Sequence, residues 1–317
     1  MEYQEFIAYV RQHILEYMEN PVDTVAEVHQ VVKNNGVVLD GLSIRRKDAR
    51  LSPNIYLNSF YEAYEEGRDI EDILSGIAEQ YMSLNMDLDV APEDIYDFEK
   101  VKEHLIVRLV SFQANEKQLE ECPWIPFEDL AITFRWLVSM DEAGIATVLI
   151  TKKELGQWDI TLETLYDLAL ANTKRLFPAV IHPLGTMLAG YLKDIVESME
   201  KTDRFAMNVK DDIVEYIAGE KYRPPLYVLT NEQGINGATC MLYGDAIDAF
   251  ADSIRHDLYI LPSSVHEVLL LPDTEEMSKE ELLEMVHEAN DTVVFDCDIL
   301  SDAIYYYSRN EKSVKKI

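Results

Sequence analysis

The densest group of chemically able side chains is the run Leu261-Pro262-Ser263-Ser264-Val265-His266-Glu267, with two hydroxyls, an imidazole and a carboxylate within five residues. Serine, histidine and an acid are the parts of a nucleophilic hydrolase: the imidazole takes the hydroxyl proton and the acid holds the imidazole. On a strand, Ser264 and His266 would share one face, and Ser263, Val265 and Glu267 the other. Same-face neighbours lie about 6–7 Å apart between Cα atoms, whereas a serine–histidine hydrogen bond spans ~2.6–3.2 Å. No Gly-x-Ser-x-Gly elbow accompanies the run. The expectation is therefore a turn at Pro262-Ser263-Ser264 between two strands, anchored by hydrogen bonds of His266. The alternative expectation is a hydrolase in which Ser264, His266 and Glu267 work with a distant acid.

Metal chemistry has less to start from. His266-Glu267 opens a His-Glu-x-x-His pattern, but Leu270 stands where the second histidine would be. Asp211, Asp212 and Glu215 fall on one expected helix, and Asp211 and Glu215, four apart, could share an ion. A solvated acidic face explains them equally, so no metal is expected. His182-Pro183 reads as a loop histidine. Cys122, Cys240 and Cys297 are far apart with no CxxC pair, which suits a reducing cytoplasm and neither a disulfide framework nor a zinc knuckle. There is no Gly-x-x-x-x-Gly-Lys-Ser/Thr loop and no Gly-x-Gly-x-x-Gly, so no nucleotide or other cofactor is expected.

Charge is the most informative positive feature. The chain of 317 residues carries 59 acids against 28 bases, a net −31. Direct binding to nucleic-acid phosphates or to an anionic membrane is disfavoured. The acids are densest over Glu62–Glu99, where 13 face the single base Arg68. Glu62, Glu65, Glu66, Asp69, Glu71 and Asp72 are the candidate interaction residues, directed at an unidentified and positively charged protein partner. Such a face could also imitate a row of phosphates and block a DNA-binding protein; a plain solubilising surface accounts for it as well. Arg45-Arg46-Lys47 with Arg50 is the one local basic cluster, better read as pairing with neighbouring acids.

The elements that must position these residues follow from periodicity. Phe6, Val10, His13, Ile14 and Tyr17 mark a helix over about 3–19. Two strands flank Asn34-Asn35-Gly36, a short strand lies near 53–57, and a helix stripe runs from Ile70 through Ile73, Leu74, Ile77, Tyr81 and Leu84. Strands are expected at 105–112, 130–138 and 146–151, then helices at 161–176, 186–200 and 207–218. Arg223-Pro224-Pro225 breaks the helical pattern. Beyond it the order is strand 226–230, strand 238–242, helix 245–256, strands 258–261 and 265–271, helix 279–290 and a strand near 304–307. The expected class is α+β: mostly antiparallel sheets with helices packed on one face and a helical middle segment. Two portions are expected, 1–222 and 223–317. No apolar stretch approaches the ~20 residues of a membrane span, and the acidic, amphipathic start is unlike a signal peptide.

Three segments resemble a family. Leu130–Asn172, with Ile150-Thr151, Trp158 and Ala169-Leu170-Ala171-Asn172, looks like a signature of uncharacterised bacterial domain-of-unknown-function proteins. Leu258–Leu269 and Leu300-Ser301-Asp302-Ala303-Ile304-Tyr305-Tyr306-Tyr307 resemble further hallmarks of that group. The resemblance implies an intracellular bacterial protein and brings no activity or catalytic residue. The function expected is non-enzymatic binding.

Overall fold

Valine-rich alternation on either side of Asn34-Asn35-Gly36 builds the first hairpin. Strands β1 (Thr24–Val32) and β2 (Val38–Arg46) pair antiparallel, from Thr24 opposite Arg46 to Val32 opposite Val38. At the tip Asn35 takes φ 60°, a left-handed value that asparagine accepts more readily than branched residues. β3 (Asn54–Tyr56) adds to the β2 edge. Helices α1 (Tyr3–His13), α2 (Asn58–Glu65) and α3 (Ile70–Ser83) complete an N-terminal unit with its own core, in which Phe6 and Val10 meet Leu42, Ile44, Ile55, Ile73 and Ile77. The first helix is shorter than its stripe suggests: from Ile14 to Tyr17 it tightens into a 3-10 turn. The computed structural model describes residues 1–18, 21, 23–46, 54–83, 91–141, 144–186 and 225–317. The helices expected at 186–200 and 207–218, with Asp211, Asp212 and Glu215, lie outside these almost entirely, as does the Arg223-Pro224 break.

A second sheet is organised on the long strand β6 (Leu130–Asp141). β4 (Leu105–Ser111) pairs along one side of it, and β5 (Trp124–Phe127) and β7 (Gly144–Leu149) pair with it as well, all antiparallel. Short helices α4 (Phe98–Val101) and α5 (Glu116–Leu119) flank β4 in the chain. α6 (Lys152–Trp158) and α7 (Leu162–Leu176) follow β7, and the side chains of Thr151 and Thr161 cap their N-termini.

The third sheet continues from β8 (Ala179–Pro183) and β9 (Tyr227–Asn231) through β10 (Leu258–Pro262), β11 (Val268–Pro272), β12 (Tyr305–Ser308) and β13 (Ser313–Lys316). Its spatial order is β13-β12-β10-β11-β9-β8, antiparallel throughout. Alternation sorts the strands' side chains between two cores. Leu258, Ile260, Val268 and Leu270 enter the main core, shared with Phe134, Trp136, Leu165 and the α8 (Gly244–Ile254) residues Ile247 and Ala251. Leu261 and Leu271 point the other way, onto Leu282 and Val286 of α9 (Lys279–Thr292). The architecture is α+β, with three antiparallel sheets among the described residues. β8 precedes residue 222 and pairs with β9 beyond it, so a single sheet draws on both sides of the expected 222/223 boundary.

Two expectations need correction. Residues 238–242 form no strand: Gly237–Leu242 is a 3-10 turn, buried from Gly237 to Met241. A short apolar run enclosed on every side has no solvent face to enforce alternation, so periodicity cannot separate the two forms. His182 lies in β8, exposed at a sheet edge, and not in a loop.

Candidate functional site

The Ser263–Glu267 segment is the loop between β10 and β11, and its backbone is tied on three sides. The Ser263 and Ser264 N–H groups both donate to the Glu267 carbonyl (3.3 and 3.1 Å), and the Val265 N–H donates to the Asp298 carbonyl (2.7 Å). Thr230 Oγ1 donates to the His266 carbonyl at 2.8 Å. These bonds divert residues 265–267 from a ladder, so β11 begins only at Val268 and the alternation expected from Val265 does not hold.

The three candidate side chains then have separate duties. Ser264 Oγ accepts the His266 backbone N–H at 3.0 Å, and Ser263 Oγ donates to Glu267 Oε1 at 3.4 Å. His266 Nδ1 accepts the Asn236 backbone N–H at 3.2 Å, so the neutral ring carries its proton on Nε2. That nitrogen faces Asp298 Oδ1 at 3.5 Å. Among the described residues neither serine hydroxyl is hydrogen-bonded to the imidazole, the contact on which activation of a serine nucleophile depends. What His266 does instead is join three segments: the loop after β9, its own loop, and the 3-10 turn Asp296–Asp298.

The His266 hydrogen bond is the first cause holding the Asp298 carboxyl below the usual carboxylate range; burial opposes it, and the charges of His266 and Arg108 and a bond with Cys297 assist it. A carboxylate with a depressed folded pKa contributes stability that is complete above its unfolded value of ~3.9 and is lost as pH falls through the lower folded value. In His266→Ala the Asp298 titration should move upward and acid unfolding should begin at higher pH. A carboxyl-carbon NMR titration reads this, and an unmoved Asp298 would remove His266 as the cause.

The candidate interaction acids are solvated. Glu62, Glu65 and Glu66 on and just after α2, Asp69 in the connection, and Glu71 and Asp72 at the start of α3 are all exposed, and none is in an ion pair among the described residues. Ile73, Leu74 and Ile77 turn inward from the same helix, so the acids occupy the outer face that amphipathic packing leaves to water. Of the basic cluster, Arg45 pairs with Glu27 at 3.3 Å across the hairpin. The Arg46 side chain, Lys47 and Arg50 lie outside the description.

A second feature lies outside the residues that the sequence pattern singles out. Val293 and Phe295, after α9, are 76% and 78% exposed, between the exposed acids Asp291 and Asp296. Val32 and Val38, cross-strand partners behind the hairpin tip, are also exposed. The tip meets the loop after Phe295 directly: Asn34 Nδ2 donates to the Cys297 carbonyl at 2.8 Å, and Asn35 Nδ2 to the carbonyls of Asp296 and Ile299 at 2.8 and 2.7 Å. Four exposed apolar side chains thus stand within three residues of one polar seam. The signal in the sequence was the apolar triplet Val293-Val294-Phe295 set among acids. No helix among the described residues is long and apolar enough to cross a membrane.

Compared with known proteins, residues 3–309 match a family of unknown function (DUF5688). No curated protein and no solved structure matches the chain.

Proposed function

The chain belongs to DUF5688, and from that premise we propose that it is a non-enzymatic binding protein that engages a positively charged, partly apolar segment of a protein partner. Val293 and Phe295 carry this reading: an aromatic and a β-branched side chain held in water among acids suit an anchor that a partner would desolvate. The surrounding negative field favours cationic partners in the encounter, and the exposed acids of α2 and α3 extend it. Cys122 and Cys240 are buried free thiols, which supports a cytoplasmic setting.

The probe that tests this is a labelled amphipathic peptide of lysine and leucine, followed by fluorescence polarisation at low and at high salt. Binding should weaken as salt rises. The double variant Val293→Ser and Phe295→Ser should weaken it at least about tenfold, the scale of losing two buried apolar anchors. Binding indifferent to salt, or unchanged in the double variant, would dismiss the proposal.

A further inference from the structure

We propose that the cleft between the second sheet and the loop after β9 binds a small organic oxyanion, a phosphate or carboxylate on an apolar stem, through the paired guanidiniums of Arg108 and Arg135. The two arginines occupy adjacent antiparallel strands. Arg108 on β4 is opposite Thr133 on β6, and Arg135 lies two residues further along β6, so they are diagonal neighbours on one face. Both line the cleft, together with Thr147, Asn236 and Thr239 and the apolar Ile145, Phe177 and Ile235.

Among the described residues, no aspartate or glutamate lines the cleft, in a chain with 59 acids. Nε of Arg108 and Nε of Arg135 are both buried without a hydrogen-bond partner. Among the described residues Arg135 has one bond, from an Nη to Thr147 Oγ1 at 3.3 Å, and Arg108 has none from its side chain. Neither forms an ion pair among the described residues. A guanidinium taken from water without a partner is costly, and two side by side add mutual repulsion. Burial first, and the neighbouring Arg135 second, lower Arg108 to about 9, while Asp298 works in the opposite sense.

An oxyanion would resolve these conflicts together. It would neutralise the pair and accept from the unpartnered Nε groups in the fork geometry that guanidinium offers carboxylate and phosphate. The hydroxyls of Thr147 and Thr239 and the amide of Asn236 are further polar groups at the wall, and Ile145, Phe177 and Ile235 suit an apolar stem. The backbone there needs no ligand, because the Val107 and Leu109 N–H groups on the open edge of β4 already donate to Thr173 Oγ1 and Thr239 Oγ1. This site is independent of the exposed Val293 and Phe295, and either proposal can fail alone.

Isothermal titration of the full chain with inorganic phosphate and, separately, with butyrate, at fixed ionic strength in sodium chloride, tests the proposal and separates the two oxyanions. At least one should give saturable one-to-one binding. Arg108→Met and Arg135→Met should each weaken it about 10- to 100-fold, the scale of losing charge-assisted hydrogen bonds. Both variants should fold, since each removes one charge from a like-charged pair. If a variant does not fold, the wild-type melting temperature decides: a rise in the bound anion over chloride at equal ionic strength supports the site, and no rise overturns it. No saturable heat from either oxyanion, or affinity unchanged in both variants, would also overturn it.

Discussion

Gly237→Ala should destabilise the protein by about 3 kcal/mol or more, the upper range for overpacking against atoms that cannot move. A Cβ at this position would stand 2.1 Å from Thr230 Oγ1, 2.4 Å from the His266 carbonyl oxygen and 2.9 Å from the Asn231 nitrogen. Two of these atoms are backbone, and the third is fixed by its bond to that same carbonyl. The glycine is thus required by close approach: its φ lies outside the left-handed region. Gly234 provides the contrast. Its φ is +65° with nothing within 4 Å of a would-be Cβ, so Gly234→Ala should cost only about 1–2 kcal/mol of backbone strain. Urea unfolding of both variants measures the difference; equal costs would mean that the 237 contact relaxes freely.

Asp129→Ala should cost about 3 kcal/mol. Asp129 sits in the turn joining β5 to β6, and its two oxygens accept from Tyr305 Oη at 2.7 Å and Ser301 Oγ at 2.8 Å. The Tyr305 ring is fully buried. Hydrogen bonds to a charged acceptor contribute about 1.5–3 kcal/mol each, and the truncated site leaves a tyrosine hydroxyl facing a gap. The double variant Asp129→Ala with Tyr305→Phe should be less unstable than the sum of its single changes, since the second removes the orphaned donor. Strict additivity in denaturant titrations would show that the two side chains do not support each other. The pairing also explains why a tyrosine stands at a core-facing position of β12: its ring fills the main core while its hydroxyl reaches across to the second sheet.

Much of the fold was readable because its elements carry strong periodic signals. The first hairpin, the Ile73/Leu74/Ile77 stripe and α9 alternate or repeat against a solvent face, β4 and β6 are apolar β-rich runs long enough to stand out though buried on both faces, and the boundaries of all of these fall within a few residues of expectation. The sequence is not legible where a run is both short and without a solvent face. The buried 3-10 turn at 237–242 resembles a strand in composition, and the short β5, β8 and β13 are too brief to show a period. The second half of the Ser263–Glu267 loop is not legible in the sequence because what holds it, the Asp298 carbonyl and Thr230, comes from 33 and 36 residues away in sequence from Val265 and His266. The arginine cleft does leave a trace in the sequence. Arg108 and Arg135 each interrupt an otherwise apolar run, Leu105-Ile106-Val107 before the first and Trp136-Leu137-Val138 after the second, and a lone charge inside such a strand needs a partner. That both interruptions fall on one face depends on the β4–β6 register, which no single strand reveals.

The polar clasp at the hairpin tip has a thermodynamic consequence. The N-terminal unit closes its own apolar core, and the hydrogen bonds that its Asn34 and Asn35 side-chain amides donate to the 296–299 carbonyls compete with water whenever they open. Detachment should therefore require less energy than melting either body, and amide protons at the tip should exchange with deuterium through a subglobal opening, faster than those in either interior. Such a chain would behave as two cooperative blocks hinged by asparagines.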